Sequence, residues 1–146
     1  MKDLQTIVRR ARALDGKDTP YVLATVVQTS GSVYRGPGTR MLIEADLQSL
    51  GTISDGCLEG DVRENAREVF ADAPPRLLHY DATSADDILW GTGLGCSGTI
   101  DVLLERLPHR ADFHYPTLLY QCALENRRGV LVTVFALTGE TNAAPG

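Results

Sequence analysis

The fold is decided by the stretch Tyr21-Val22-Leu23-Ala24-Thr25-Val26-Val27. This stretch is almost entirely apolar and rich in β-branched residues, which is typical of a strand that is buried on both faces.

The neighbouring segments predict a helix before this strand and two strands after it. Residues 4–14 carry apolar side chains at helical spacing with arginines on the other faces, which predicts an amphipathic helix. Residues 40–44 predict a return strand, and residues 51–54 predict a short third strand. Between the first two strands, the small residues at 30–32 and the Gly-Pro-Gly at 36–38 predict a tight loop.

The second half of the chain predicts further helices and strands. Residues 58–70 show helical spacing, and residues 77–80 predict another strand. Apolar side chains alternate over residues 100–104, which predicts a half-buried strand. Residues 116–126 predict a helix, and residues 130–137 predict a last strand.

The composition is that of one globular domain. The chain has 146 residues, of which 43% are hydrophobic and 23% are charged. A chain of this length is too short for two ordinary domains and long enough to build a real core. We therefore predict a single α+β domain over residues 1–146, with a mixed or antiparallel sheet and helices packed on it.

The charge and the cysteine content exclude several classes of protein. The formal net charge is −5, which disfavours general binding to nucleic acid or to anionic lipids. No apolar run approaches the roughly 20 residues that span a bilayer, and residues 1–5 lack the apolar core of a signal peptide. Three widely spaced cysteines argue against a disulfide framework. The expectation is a cytoplasmic protein with reduced thiols and no membrane span.

The end of the chain partly repeats its beginning. Residues 22–26 match residues 130–134, and both segments follow a predicted helix. Internal duplication and chance similarity both explain such a match. If the second copy continued like the first, a return strand would follow Gly146. We therefore expect the chain to be part of something longer.

Cys57 is the first residue that could carry chemistry. The predicted third strand ends near Ser54, residues 54–56 turn the chain, and a helix begins near Leu58, so that Cys57 is expected at or near the helix N-cap. The unpaired N–H groups and the positive end of the helix dipole stabilise an anion there, including a thiolate. Burial as a small apolar side chain is the alternative. Glu59, in the first turn, is a candidate dipole partner or proton acceptor for the thiol.

Cys96 lies in a second glycine-rich segment. Residues 91–98 contain four glycines, which let the backbone bend and approach a ligand closely. The segment Gly93 to Gly98 fits the dinucleotide-binding pattern G-x-G-x-x-G, but that pattern requires a helix after it. Because the residues that follow alternate like a strand, a Rossmann site is disfavoured.

Arg35 and Arg40 flank the turn at residues 36–38 and form a third candidate. Two guanidinium groups beside a rigid turn can hold a phosphate through bidentate, charge-assisted hydrogen bonds. A solvated hairpin tip is the alternative. The histidines lack the spacing of a zinc site, and Cys122, in the predicted last helix, is interpreted as a core residue.

Three segments together resemble the XdhC/CoxI family of accessory proteins for molybdenum hydroxylases such as xanthine dehydrogenase. They are residues 31–41, 51–59 and 93–98, in the family's order. Two positions depart from the family pattern. Asp55 stands where the family more often has glycine before the Gly-Cys pair, and Ser97 stands where glycine usually follows the second cysteine.

The resemblance implies a carrier rather than an enzyme. Family members bind molybdenum cofactor, protect it while a terminal sulfido ligand is installed, and deliver it to an apo-hydroxylase. The implied partners are the molybdenum hydroxylase and a cysteine desulfurase, and a homodimer is also implied. The Rossmann-like C-terminal domain that usually follows in the family has no counterpart in residues 1–146.

We predict one cleft that holds the molybdopterin form of the cofactor as cargo, with the two cysteines as metal ligands. The predicted cofactor-binding residues are Cys57, Cys96, Arg35, Arg40, Gly56, Glu59 and Gly95. One alternative function is a thiol-dependent enzyme or persulfide carrier that uses Cys57. A second alternative is a module that docks the hydroxylase without binding cofactor.

Overall fold

The described part of the chain forms helices on both faces of one sheet. A computed structural model describes residues 2–71, 74–82, 97–108 and 115–137. In chain order its elements are α1 (Lys2–Asp15), β1 (Tyr21–Ser32), β2 (Arg40–Glu44), β3 (Ser49–Gly51), α2 (Glu59–Phe70), β4 (Arg76–Asp81), β5 (Ser97–Leu107) and α3 (Tyr115–Leu124).

The five described strands form one sheet in the order β3-β2-β1-β5-β4. Every pairing is antiparallel, which confirms the predicted α+β class and selects the antiparallel alternative. β1 occupies the centre of the sheet, which agrees with the prediction of a buried strand. It pairs with β2 over residues 21–25 and with β5 over residues 21–32, with one irregularity between Val26 and Gln28.

Alternate residues of β1 enter two separate cores. One core lies beneath α1 and includes Ile7, Ala11, Leu14, Tyr21, Leu23, Leu42 and Leu107. The other lies beneath α2 and includes Val22, Ala24, Val26, Val62, Ala66, Val69 and Val102. Side chains of a strand alternate between its two faces. A strand with apolar residues at both odd and even positions is therefore covered on both sides. This explains why residues 21–27 carry almost no polar side chain.

The helix α3 packs against α1, the helix that covers the core containing Ile7 and Tyr21. The Gln5 side-chain amide donates to the carbonyl of Ala123 at 3.2 Å. The Arg12 guanidinium lies 4.2 Å from the ring centroid of Tyr120, which is within cation–π distance. No helix in the described ranges is both long enough and apolar enough to cross a membrane.

Two strand boundaries differ from the sequence prediction. Residues 30–32 were predicted as a loop, but they are the last residues of β1 and pair with the first residues of β5. The third strand is Ser49–Gly51 rather than residues 51–54. The reason is that residues 52–56 turn toward the carboxylate of Glu59 and leave the sheet.

The last predicted strand is wrong. Residues 130–137 form no strand, and the side chains of Val130 and Val132 are 85% and 79% exposed. Alternating apolar residues favour a strand only where a neighbouring strand accepts their backbone hydrogen bonds. No described strand pairs with this segment.

Candidate functional site

The antiparallel order brings several turns to one end of the sheet, which we call the loop end. Residues 33–39 connect β1 to β2, which begins at Arg40. Residues 52–58 follow the last residue of β3, Gly51, and lead into α2. β5 begins at Ser97, opposite the last residue of β1. The loop end therefore gathers two of the three segments that sequence analysis singled out, together with the start of β5.

The carboxylate of Glu59 fixes the loop at residues 52–58. Its Oε1 accepts hydrogen bonds from the Thr52 hydroxyl and from the N–H groups of Ile53 and Ser54, over 2.5–2.9 Å. Its Oε2 accepts from the Ser54 hydroxyl at 2.7 Å and from the Gly56 N–H at 2.9 Å. Glu59 is only 9% exposed. Five donors around one buried carboxylate hold this loop in a single shape.

The same hydrogen bonds control the ionisation of Glu59. Burial on its own raises the pKa of this carboxyl group, but the hydrogen bonds from Thr52, Ser54 and Ile53 outweigh it and lower the pKa to about 2. The two hydroxyl groups also accept bonds. Thr52 accepts from the N–H of Asp55 at 3.0 Å, and Ser54 accepts from the N–H of Leu58 at 2.8 Å. The loop is thus internally bonded from its first residue to the start of α2.

Cys57 lies one residue before Leu58, the N-cap of α2. It is half-buried, and its side chain packs against the core beneath α2. Within the described ranges Cys57 forms no disulfide. The placement beside a helix start is the one that the turn and helix pattern indicated.

The acidic residues around Cys57 weaken the argument that the helix dipole stabilises a thiolate there. Glu59 already places a carboxylate in the first turn of α2, and Asp61 adds another. Asp55 adds a third, two residues before the cysteine. The negative charges of these three carboxylates offset much of the positive potential at the start of α2. The helix dipole by itself therefore gives a thiolate at Cys57 little stabilisation. With a pKa near 2, Glu59 is also a poor proton acceptor, and its contacts favour a positioning role.

Arg35 joins the two loops of the loop end. Its Nη2 and Nε donate to Oδ1 of Asp55 at 2.9 and 3.2 Å. Its Nη1 lies 3.9 Å from Oδ2 of Asp3 in the first turn of α1. Arg35 therefore contacts two carboxylates in this structure. Sequence analysis missed the pairing with Asp55, because nothing in the sequence indicates contact between residues 20 positions apart.

Arg40 and the neighbouring glycines form the other side of the loop end. Arg40 is the first residue of β2, and its Nη1 donates to the carbonyl of Gly38 at 2.8 Å. At Gly36, Gly38 and Gly56, an added Cβ would meet no atom within 4 Å. The backbone at these glycines is therefore open to an approaching molecule. Gly38 and Gly56 also have positive φ angles of 89° and 113°, which favour glycine.

Cys96 and Gly95 lie outside the described residues, so their predicted roles stay predictions. Among the residues that the structure describes, no group of three or more histidine, cysteine, aspartate or glutamate side chains could hold a metal ion. This search does not test the predicted pair of Cys57 and Cys96. Cys122 lies on α3 and is half-buried.

Gly98, the last glycine of the dinucleotide-binding pattern that sequence analysis disfavoured, has a structural function. It lies in β5, so a strand and not a helix follows the glycine-rich segment. An added Cβ would lie 2.3 Å from the carbonyl oxygen of Ser30 and 3.0 Å from that of Ser32. Glycine is needed here because β1 and β5 approach each other closely. The absence of a helix after Gly98 agrees with the argument against a Rossmann site.

The segment from the end of α1 to the end of β4 matches a known protein family. Residues 15–81 match the XdhC and CoxI family. The match covers 67 of the 146 residues of the chain, from residue 15 to residue 81, and it is this segment that is similar to the family. The resemblance expected from the sequence is confirmed. The matched segment contains Arg35, Arg40, Cys57 and Glu59.

Similar proteins come from several bacteria. A Bacillus subtilis (strain 168) protein, named as a probable subunit of xanthine dehydrogenase, is 40% identical over 94 residues, which are 64% of this chain and 28% of that protein. "Uncharacterized protein YqeB" of Escherichia coli (strain K12) is 30% identical over 100 residues, which are 67% of this chain and 18% of that protein.

A solved structure shares the fold. The crystal structure of a xanthine dehydrogenase from Bacillus halodurans matches with a TM-score of 0.60 and 39% identity. The match covers 78% of this chain and 33% of that chain. The chain thus spans about a third or less of each of these three proteins.

Proposed function

We propose that this chain is a module of an XdhC/CoxI accessory protein that binds molybdenum cofactor and helps its sulfuration and insertion into a hydroxylase of the xanthine dehydrogenase or CO dehydrogenase type. The observation that carries the proposal is the loop end, where Cys57 lies on one loop and Arg35 and Arg40 border another. The names of the relatives from both Bacillus species support a link to xanthine dehydrogenase.

The residues at the loop end fit the chemistry of this cargo. A cysteine thiolate is a soft ligand and suits molybdenum bound to a pterin dithiolene. Arginine side chains suit the terminal phosphate of the cofactor, because a guanidinium binds phosphate with two parallel hydrogen bonds. The open backbone at Gly56 lets a bulky ligand approach Cys57. We propose that Cys57 holds the metal, with Cys96 as the second thiol, beside Gly95, and with Arg35 and Arg40 at the phosphate.

The proposed partners follow from the same function. The molybdenum hydroxylase apoenzyme would receive the cofactor, and a cysteine desulfurase would supply sulfur while the carrier shields the metal from water. A homodimer belongs to the same proposal. The carrier itself performs no turnover in this scheme; its residues bind, orient and protect the cargo.

We expect Cys57→Ser to weaken binding of molybdenum cofactor at least about tenfold, because a hydroxyl is a much poorer ligand than a thiolate for a soft metal. The measurement is equilibrium dialysis of the purified chain with cofactor, read as molybdenum and pterin bound per chain. Cys122→Ser on α3 is the matched control and should bind like the unchanged chain. Unchanged affinity in both Cys57→Ser and Cys96→Ser would show that the thiols do not hold the cofactor.

The alternative functions give different results with the same protein. A persulfide carrier or thiol-dependent enzyme would show a covalent adduct on Cys57 by mass spectrometry after incubation with a sulfur donor or substrate. A docking module would capture the apo-hydroxylase without retaining molybdenum or pterin. The carrier is expected to retain both when it is purified from a cofactor-producing host.

A further inference from the structure

We infer that Asp55 is an internal competitor for Arg35 and thereby determines how selectively the loop end holds a phosphate-bearing ligand. This inference rests on the proposed function, in which Arg35 binds the phosphate. Asp55 accepts two hydrogen bonds from Arg35, through Nη2 at 2.9 Å and Nε at 3.2 Å. These are the two donors that a phosphate would use for a bidentate contact.

The backbone at residue 55 is held in place by the loop and not by the arginine. Asp55 has a φ of +58°, in the left-handed region that favours glycine and that aspartate tolerates better than most residues. Its N–H donates to the Thr52 hydroxyl, which is itself bonded to Glu59. The loop therefore presents the carboxylate to Arg35 from a fixed backbone. Breaking the ion pair requires movement of two side chains only.

Both side chains can make that movement. The side chains of Asp55 and Arg35 are 52% and 36% exposed, so water can solvate each of them when the pair separates. An exposed ion pair contributes little free energy, which makes it easy to displace. A phosphate dianion carries more charge than the carboxylate and displaces it, whereas a ligand with a single weak anion does not.

The same competition favours release of the cargo. Once a phosphate is bound to Arg35, the carboxylate of Asp55 remains nearby and repels it. When the ligand leaves, Asp55 pairs with Arg35 again and offsets part of the cost of separation. A carrier that must deliver its cargo gains from such a contact, because very tight binding would slow the transfer.

The test is the affinity of the Asp55→Asn variant for molybdopterin by equilibrium dialysis. We expect about two- to fivefold tighter binding, the range that corresponds to loss of one exposed ion pair. Asp18→Asn is the matched control, since Asp18 is exposed, has a φ of +50° and follows the far end of α1. Asp18→Asn removes the same charge. It lies beyond the end of α1 that is opposite Asp3, and α1 is about 20 Å long. This variant should therefore bind like the unchanged chain. In an Arg35→Gln background, Asp55→Asn should give no gain.

The outcomes separate this inference from the proposed function. If the unchanged chain binds molybdopterin and Asp55→Asn binds it equally, Asp55 does not compete and the inference is wrong, while the carrier function stands. If no variant binds molybdopterin, the carrier function fails. Inorganic phosphate then decides the inference, through the nitrogen-15 chemical shift of the Arg35 Nε–H. A larger phosphate-dependent shift in Asp55→Asn supports competition, and equal or absent shifts overturn it.

Discussion

Replacing Glu59 with glutamine is expected to lower the free energy of unfolding by about 3 kcal/mol at pH 7. The carboxylate accepts five hydrogen bonds in a nearly buried position. A glutamine amide replaces one acceptor oxygen by an NH2 group, which then faces donors of the loop. Those donors lose their partner, and the loop at residues 52–58 loses its shape. Urea unfolding measures the change.

A control on the same helix isolates the effect of the buried position. Glu64 is exposed and pairs with Arg67 one turn along α2. Glu64→Gln removes the same charge but leaves no buried donor unpaired, so its unfolding midpoint should stay close to that of the unchanged chain. Equal destabilisation by Glu59→Gln and Glu64→Gln would contradict the structural function of Glu59.

The effect of Glu59 should depend on pH in a defined window. Its pKa is lowered in the folded chain to about 2, from an ordinary value of 4.5. A carboxylate with a depressed pKa stabilises the fold above its unfolded pKa, and this contribution disappears as the pH falls toward the folded value. The difference in stability between the unchanged chain and Glu59→Gln should therefore be full at pH 6 and shrink between about pH 4.5 and 2. A difference that grows on acidification would contradict this account.

Gly98→Ala is expected to destabilise the fold by roughly 2–3 kcal/mol, which is the cost of overpacking at a buried contact. The added Cβ would lie 2.3 Å from the Ser30 carbonyl oxygen and 2.9 Å from a methyl group of Val33. Because the first of these is a backbone atom of the paired strand, β1 and β5 would have to separate there. Thermal unfolding, together with amide exchange at residues 29–32, measures the loss.

The matched control is Gly36→Ala. Gly36 lies in the loop after β1, and an added Cβ there would meet no atom within 4 Å. The melting temperature of Gly36→Ala should stay near that of the unchanged chain, while Gly98→Ala should melt several degrees lower. If Gly98→Ala and Gly36→Ala have the same melting temperature, the close approach of β1 and β5 does not constrain the fold.

Much of the fold could be predicted from one stretch of sequence. Residues 21–27 are nearly all apolar, and this pattern correctly indicated a buried strand, whose side chains enter both cores. The end of β1 could not be predicted, because small residues at 30–32 are typical of turns. Their pairing depends on Gly98, almost 70 positions later. Residues 130–137 have the composition of a strand, but composition does not supply a pairing partner.

The candidate site was predictable where its signals are local. The turn and helix start around Cys57 are contiguous in the sequence, and the structure has them where they were expected. Sequence analysis considered Glu59 only as a partner of the helix dipole or of the thiol, and it missed the hydrogen bonds by which this carboxylate holds the preceding loop. The ion pair of Arg35 with Asp55 joins two loops and has no local signal. The predicted role of Cys96 falls outside the described residues.

The internal bonding of the loop at residues 52–58 separates two tasks that a binding loop often has to combine. Glu59, Thr52 and Ser54 maintain the shape of the loop from its inner side, whereas the half-exposed side chain of Asp55 pairs with Arg35 and makes none of these bonds within the loop. Residue 55 can therefore be exchanged for glycine or asparagine, which tolerate its positive φ, with little folding penalty. Under the proposed function, a single substitution at this position changes the preference for the cargo while the scaffold that presents Cys57 stays the same.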